Sequence, residues 1–406
     1  MNLKQLFLVH SLLLSIISCT TVRVVPPPEP VGKPIHKDVG MSSERLLRIF
    51  DVVHEAMDKE DIPGAVVLVG RYNEVIFREA IGYSQLVPNK VPMRVDLMFD
   101  MSSATKPVAT ATSIMILAER GQLRLTDRVR NYVPNFNRYV YPDGTEAPDA
   151  RIWHLLTHTS GVPPYTDADS AAAKLGRPCT TEALVNYIAQ LPKLSAPEDE
   201  YHYSCLGFIT LAYIIEKVSG TNVAEFAKEN IFKPLGMNYT TYVPEQLLKP
   251  LCVPTQVIDG EPLQGIVHDP LARLQGGISG NAGLFSTADD LAVYARMMLN
   301  GGIWDDARIL SPVTIHRMIG IPGTKANATR GYGWVVKRGQ SWVGGDLLPD
   351  GGFGHSGYTG TSMWINPTTG VFIIVLTNRV HPIDDGDVDW LRSSIANVVA
   401  GAVMEE

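Results

Sequence analysis

Ser103 and Lys106 stand three residues apart at the start of a long apolar-patterned run, residues 108–120. Side chains three apart on a helix are neighbours, so the lysine amine can reach the serine hydroxyl. There it can take the hydroxyl proton and promote attack on a carbonyl carbon. A helix start also offers free backbone N–H groups and a positive dipole end, which favour a nearby oxyanion. Ser102 has no lysine three residues on, so Ser103 is the candidate nucleophile. Pro107 is tolerated in a first helical turn, where its missing N–H loses nothing. Alone, Ser-x-x-Lys arises by chance in many chains as a helix cap beside a solvated lysine.

Two further clusters change that reading. Tyr203-Ser204-Cys205 follows Pro197 and precedes an apolar run, residues 206–218, that stops at Gly220. His355-Ser356-Gly357 follows Gly351, Gly352 and Gly354 and precedes the strand-like residues 361–366. Order and spacing resemble the three active-site motifs of the penicillin-recognising serine hydrolases, specifically their class C β-lactamase-like branch. That branch includes β-lactamases, D-Ala-D-Ala carboxypeptidases, D-aminopeptidases and carboxylesterases. Residues 155–161, 280–287 and 376–379 resemble it too, and the likeness runs over residues 40–400.

The resemblance implies roles. Ser103 would form an acyl-enzyme, with Lys106 as activating amine. Tyr203, as phenolate or sharing a proton with Lys106, would be general base and then acid to the leaving group. Ser356 would donate to a substrate carboxylate or to the leaving group. Gly357 would let the strand approach the substrate, and the Tyr358 N–H would join that of Ser103 as the oxyanion hole. Two positions depart from the family pattern. Cys205 stands where an asparagine often holds a substrate amide, and a thiol is a poor hydrogen-bond partner. It reads as a small apolar side chain lining the site. His355 stands where β-lactamases usually carry lysine. With an unperturbed pKa of about 6.5 it would grip a carboxylate with only partial charge.

Other histidines are less telling. His154 and His158 have the spacing of a helical zinc pair, but Leu155 follows His154 where a glutamate base would stand, so no metal is expected. His268, Asp269, Asn281, Arg379 and His381 either line the cleft or fix loops.

A sheet-and-helix framework must position these groups. Ser42 or Ser43 caps a helix with an apolar stripe of Leu46, Ile49, Val53 and Met57. Residues 65–69 and 75–81 read as paired strands, and 361–366 and 371–378 as a second hairpin. A last helix carries Val388, Leu391, Ile395, Val398 and Val399 on one face. Between these ends most periodicity is helical, at 108–120, 181–190, 208–219, 224–230 and 288–300. The expected fold is α/β, an antiparallel sheet flanked by helices with an inserted all-helical lobe, as in the β-lactamase/transpeptidase family. Residues 40–100 and 330–400 supply the sheet part and residues 105–320 the lobe.

With 406 residues, 45% hydrophobic and 19% charged, the chain is ordinary globular material. A net charge of -7 without any Lys/Arg cluster argues against nucleic acid. The 4 cysteines fit no metal-binding spacing, and no cofactor is implied. Lys4 and the apolar residues 6–17, too short to span a bilayer, read as a signal peptide over residues 1–18. Ile16-Ile17-Ser18-Cys19 reads as a lipobox with lipid on Cys19. The alternatives are an ordinary secretory signal or a short buried helix. The proline-rich residues 19–39 would then tether residues 40–400 beside a membrane, in the periplasm or otherwise outside the cytoplasm. The substrate would be a small molecule or a peptidoglycan-derived peptide or ester. The competing readings are a small-ester carboxylesterase, a β-lactamase, and a penicillin-sensing or wall-binding module with little turnover.

Overall fold

The computed structural model describes residues 39–322, 326, 329–339 and 344–404. The expected signal peptide, Cys19 and nearly all of the tether lie outside these residues. No helix among those described is long and apolar enough to cross a membrane.

The N- and C-terminal segments do share one sheet. Strands β1 (Gly64–Arg71), β2 (Glu74–Gln85), β3 (Val91–Pro92), β4 (Val335–Val336), β5 (Phe353–Ser356), β6 (Ser362–Asn366) and β7 (Val371–Thr377) form it. Their order is β4-β5-β6-β7-β1-β2-β3, with every neighbouring pair antiparallel. β1 and β7, at its centre, are buried along their whole length. That explains their unbroken apolar sequences, since both faces of such strands lie against other layers. In β1 the side chains alternate. Ala65, Val67 and Val69 join a core with Ile49, Val53, Leu391, Ile395 and Val399, from helices α1 (Arg48–Asp58) and α5 (Asp389–Ala402). Val66 and Leu68 join the larger core with the helical lobe on the other face.

That lobe contains α2 (Thr112–Glu119), α3 (Cys205–Ser219) and α4 (Ala288–Leu299). Helix α3 is its spine. Residues 206–215 are all buried, as expected of a helix apolar on every side. It starts on the Ser204 hydroxyl, which accepts from the Gly207 N–H, and stops at left-handed Gly220. A short sheet of Phe99–Asp100, Leu284–Ser286 and Thr241–Tyr242 leads the chain into the site.

Candidate active site

Ser103, the candidate nucleophile, sits on a turn and not on a regular helix. Asp100 pairs with Phe285, and the Met101 N–H donates to the Leu284 carbonyl at 2.8 Å. The chain then tightens into a 3₁₀ turn over Ser102–Ala104, widens into a π-helical turn over Lys106–Ala111, and only then becomes α2. The uniform helix expected from residue 108 therefore begins four residues later. Pro107 has no N–H to give, and its carbonyl accepts the Thr112 hydroxyl at 2.9 Å. Such wide turns recur at functional sites.

Lys106 is fully buried. Its ammonium has three protons and three acceptors: Ser103 Oγ at 2.9 Å, the Asn281 carbonyl at 3.1 Å and Cys205 Sγ at 3.4 Å. Burial alone would lower its pKa, but Cys205 and Tyr203 outweigh that and hold the ammonium above the ordinary lysine value. At rest Lys106 therefore donates to Ser103 instead of waiting as a free amine. Cys205, the first residue of α3, is half-buried, and its sulfur faces the Lys106 ammonium. It is thus a partner of Lys106 and not the inert apolar lining expected from sequence.

Tyr203 stands in the middle of the site. The Lys106 ammonium is 5.0 Å from its ring centre and the Arg330 guanidinium 5.3 Å. The imidazoles of His158 and His355 flank it at 4.4 and 6.1 Å.

Ser103, Tyr203, His355, Ser356, Gly357 and Tyr358 line one cavity of about 490 Å³. The fold thus brings all three motifs together. Arg330, Arg379 and Arg392 also line it, with Asp387 and Asp389 beside them. Sequence reading missed Arg330, Arg392 and the two aspartates. The one available signal was Arg392 itself, a lone cation one residue after Leu391 in an apolar helix pattern.

The far wall corrects the expectation for His355 and shows what holds Gly357 and Tyr358. His355 is buried, and burial together with the charges of Arg330 and Lys106 drives its pKa well below the usual histidine value. With Nδ1 2.8 Å from the Ser356 carbonyl, that nitrogen carries the proton of a neutral ring. It is therefore not the partly charged carboxylate grip expected. Gly357 permits a close approach within the protein. A Cβ there would lie 2.2 Å from Thr361 Oγ1 and 2.5 Å from the Met101 carbonyl. The Tyr358 N–H, expected to face an oxyanion, donates to Ser102 Oγ at 3.2 Å. The Arg392 guanidinium holds this strap from behind, donating to the Gly357 and Thr361 carbonyls at 2.8 and 3.0 Å. Arg379 donates to the Tyr358 carbonyl at 2.7 Å and pairs with Asp384 at 3.2 Å.

The remaining candidates sort cleanly. His154 Nδ1 accepts from the Arg151 N–H and its Nε2 meets Glu198, while His158 Nδ1 accepts from the Ser204 N–H. The two rings serve separate backbone tasks, and no group of three or more metal-ligating side chains occurs among the described residues. His381 ties loops, taking the Leu86 N–H at Nε2 and donating to the Thr255 carbonyl. Asn281 contributes its carbonyl to Lys106. Asp269 caps residues Pro270–Leu274, and His268 stacks on Tyr358.

Comparison with known proteins places the chain among serine hydrolases. An Escherichia coli (strain K12) protein named "Putative D-alanyl-D-alanine carboxypeptidase" is 28% identical over 373 residues, 85% of each chain. The solved structure of EstCE1, a hydrolase with promiscuous acyltransferase activity, superposes with a TM-score of 0.72 at 25% identity, covering 88% of this chain and 99% of that one. An octameric penicillin-binding protein homologue from Pyrococcus abyssi gives a TM-score of 0.66 at 25% identity, covering 86% and 75%. The family model described as Beta-lactamase matches residues 49–397, and with that match this serine hydrolase belongs to the Beta-lactamase family of penicillin-recognising enzymes.

Proposed function

We propose that the protein is an envelope-anchored hydrolase that forms an acyl-enzyme at Ser103 and acts on D-amino-acid peptides of cell-wall type or related esters. The observation that carries this reading is the buried Lys106 ammonium, 2.9 Å from Ser103 Oγ at the edge of a lined cavity. Ser103 Oγ attacks the substrate carbonyl carbon, and its proton passes into the Tyr203–Lys106 pair. Collapse of the tetrahedral intermediate breaks the bond to the leaving amine or alcohol, which takes that proton. Water then repeats the sequence, releases the acid and restores the Ser103 hydroxyl.

Because His355 is neutral, recognition of a substrate carboxylate falls to the arginines of the wall, above all Arg330 beside Tyr203. The E. coli relative's name supports the peptide reading. A second reading, a small-ester carboxylesterase, is favoured by Cys205, whose sulfur is turned to Lys106 where an amide-holding side chain would serve a peptide. The anchor rests on Ile16-Ile17-Ser18-Cys19 alone. Turnover of D-Ala-D-Ala peptides, p-nitrophenyl esters and nitrocefin by the purified protein separates the substrate readings. Peptide turnover supports the first, ester turnover without peptide turnover the second, and acylation without release a sensing module. Lipid label that survives Cys19→Ala would remove the anchor.

A further inference from the structure

Ser102 adopts a φ of +44°, a left-handed backbone that strains any residue with a Cβ and that glycine enters freely. Its side chain is almost wholly buried. Its N–H donates to Asp100 Oδ1 at 2.8 Å, and its hydroxyl oxygen accepts the Tyr358 N–H at 3.2 Å. Asp100 Oδ2 accepts the His268 N–H at 2.7 Å, and the His268 ring stacks on Tyr358 at 5.8 Å. Two threonines tie the same strands together, Thr359 to the Asp100 carbonyl at 2.7 Å and Thr361 to the Met101 carbonyl at 3.2 Å. The turn that carries the nucleophile and the strap that ends β5 are thus bound to each other on both sides of Tyr358.

Within this network the Ser102 side chain is the part that backbone geometry does not ask for. A glycine at 102 would hold the same φ without strain and keep the bond to Asp100. What it would lose is the hydroxyl on the Tyr358 amide. Backbone strain of this kind persists where the surroundings over-determine it, and such places cluster at active sites. We propose that Ser102 is a positioning residue, whose hydroxyl ties the Tyr358 peptide to the nucleophile turn and sets the gap in which the substrate carbonyl lies. At 3.2 Å the bond is long for its kind, so the Tyr358 N–H can fork toward a developing oxyanion without releasing Ser102. The proposal rests on Ser103 being the nucleophile.

The test uses the purified full chain with Ser102→Gly and Ser102→Ala, a fluorophosphonate probe and a p-nitrophenyl ester. Ser102→Gly removes strain, so its Tm stays level or rises, while kcat falls by about 10- to 100-fold and KM changes by no more than about twofold. Ser102→Ala shows a similar loss in kcat with the strain retained. Mass spectrometry still finds the probe on Ser103 in both. A more stable Ser102→Gly protein with wild-type or higher kcat would overturn the proposal, since the hydroxyl would then be incidental or an obstruction. Failure of the nucleophile reading looks different: labelling would survive Ser103→Ala whatever stands at 102.

Discussion

The two walls of the active-site cavity are built in opposite ways. On the nucleophile side, Ser103 and Lys106 meet through a spacing of three residues, and Cys205 and Asn281 complete the lysine's hydrogen bonds. On the sheet side, His355 and Tyr358 take their properties from residues far away in sequence. Arg330 and Lys106 keep His355 neutral, and Ser102 holds the Tyr358 amide. The first wall starts from a local spacing that distant residues complete, whereas the second takes its charge and hydrogen bonds from tertiary packing throughout. Changes on the first should therefore remove turnover outright; on the second, loss of the Ser102 tie should lower kcat, and changes to the arginines should alter which substrate is turned over.

The largest effects belong to the nucleophile wall. Ser103→Ala or Lys106→Met should lower kcat/KM by about 10⁴-fold or more on every substrate, measured by initial rates. A Lys106→Met enzyme within tenfold of wild type would put the proton path elsewhere. Tyr203→Phe keeps the ring between His158 and His355 but loses the phenol. The expected loss in kcat is about 10²- to 10⁴-fold, the range for a general acid–base group.

Recognition should respond selectively. Arg330→Met should raise KM for carboxylate-bearing substrates by about 10- to 100-fold, as loss of a charged hydrogen bond predicts, and leave neutral esters nearly unchanged. Equal changes for both classes would show that Arg330 shapes the cavity and does not read charge. Because His355 is held neutral, the KM ratio of carboxylate to ester substrates should stay flat from pH 6 to 8. A ratio that climbs through the histidine range would mean that the imidazole is charged when substrate binds.

A smaller effect is on stability. His158 and His355 both have pKa values pushed well below 6.5 by burial first and by neighbouring cations second. The unfolded chain then binds more protons, so their contribution is present above about 6.5 and is lost as pH falls below it. Asp100 and Asp290, raised by burial to about 6, act in the opposite sense, gaining stability as pH falls toward 4. The informative quantity is therefore the difference between wild type and His355→Gln. The variant should lose less stability between pH 7 and 5, read from denaturant midpoints, and parallel curves would contradict the burial argument.

What the sequence disclosed follows the same division. The spacings of Ser103 to Lys106 and of Tyr203 to the α3 start were readable because they are local, as were the hairpins and the Thr181–Gln190 helix. The central strands were readable because β1 and β7 are buried along their length and largely apolar, whereas the two-residue edge strands β3 and β4 were not. The wide turn at Lys106–Ala111 was not, because apolar periodicity does not distinguish it from an α-helix. The charge of His355 was not legible either, since it depends on cations 25 residues before it and at Lys106. Arg392 was passed over within the apolar pattern of the last helix, yet it reaches the Gly357 and Thr361 carbonyls across the fold.

The central claim is that Ser103, and not its neighbour Ser102, carries the acyl group. The direct measurement is intact-mass and peptide mass spectrometry after brief exposure to a penicillin or an activated ester. One acyl adduct per chain is expected, located on Ser103, absent from Ser103→Ala and retained in Ser102→Ala. An adduct on Ser102, or one that survives Ser103→Ala at the wild-type rate, would contradict the account.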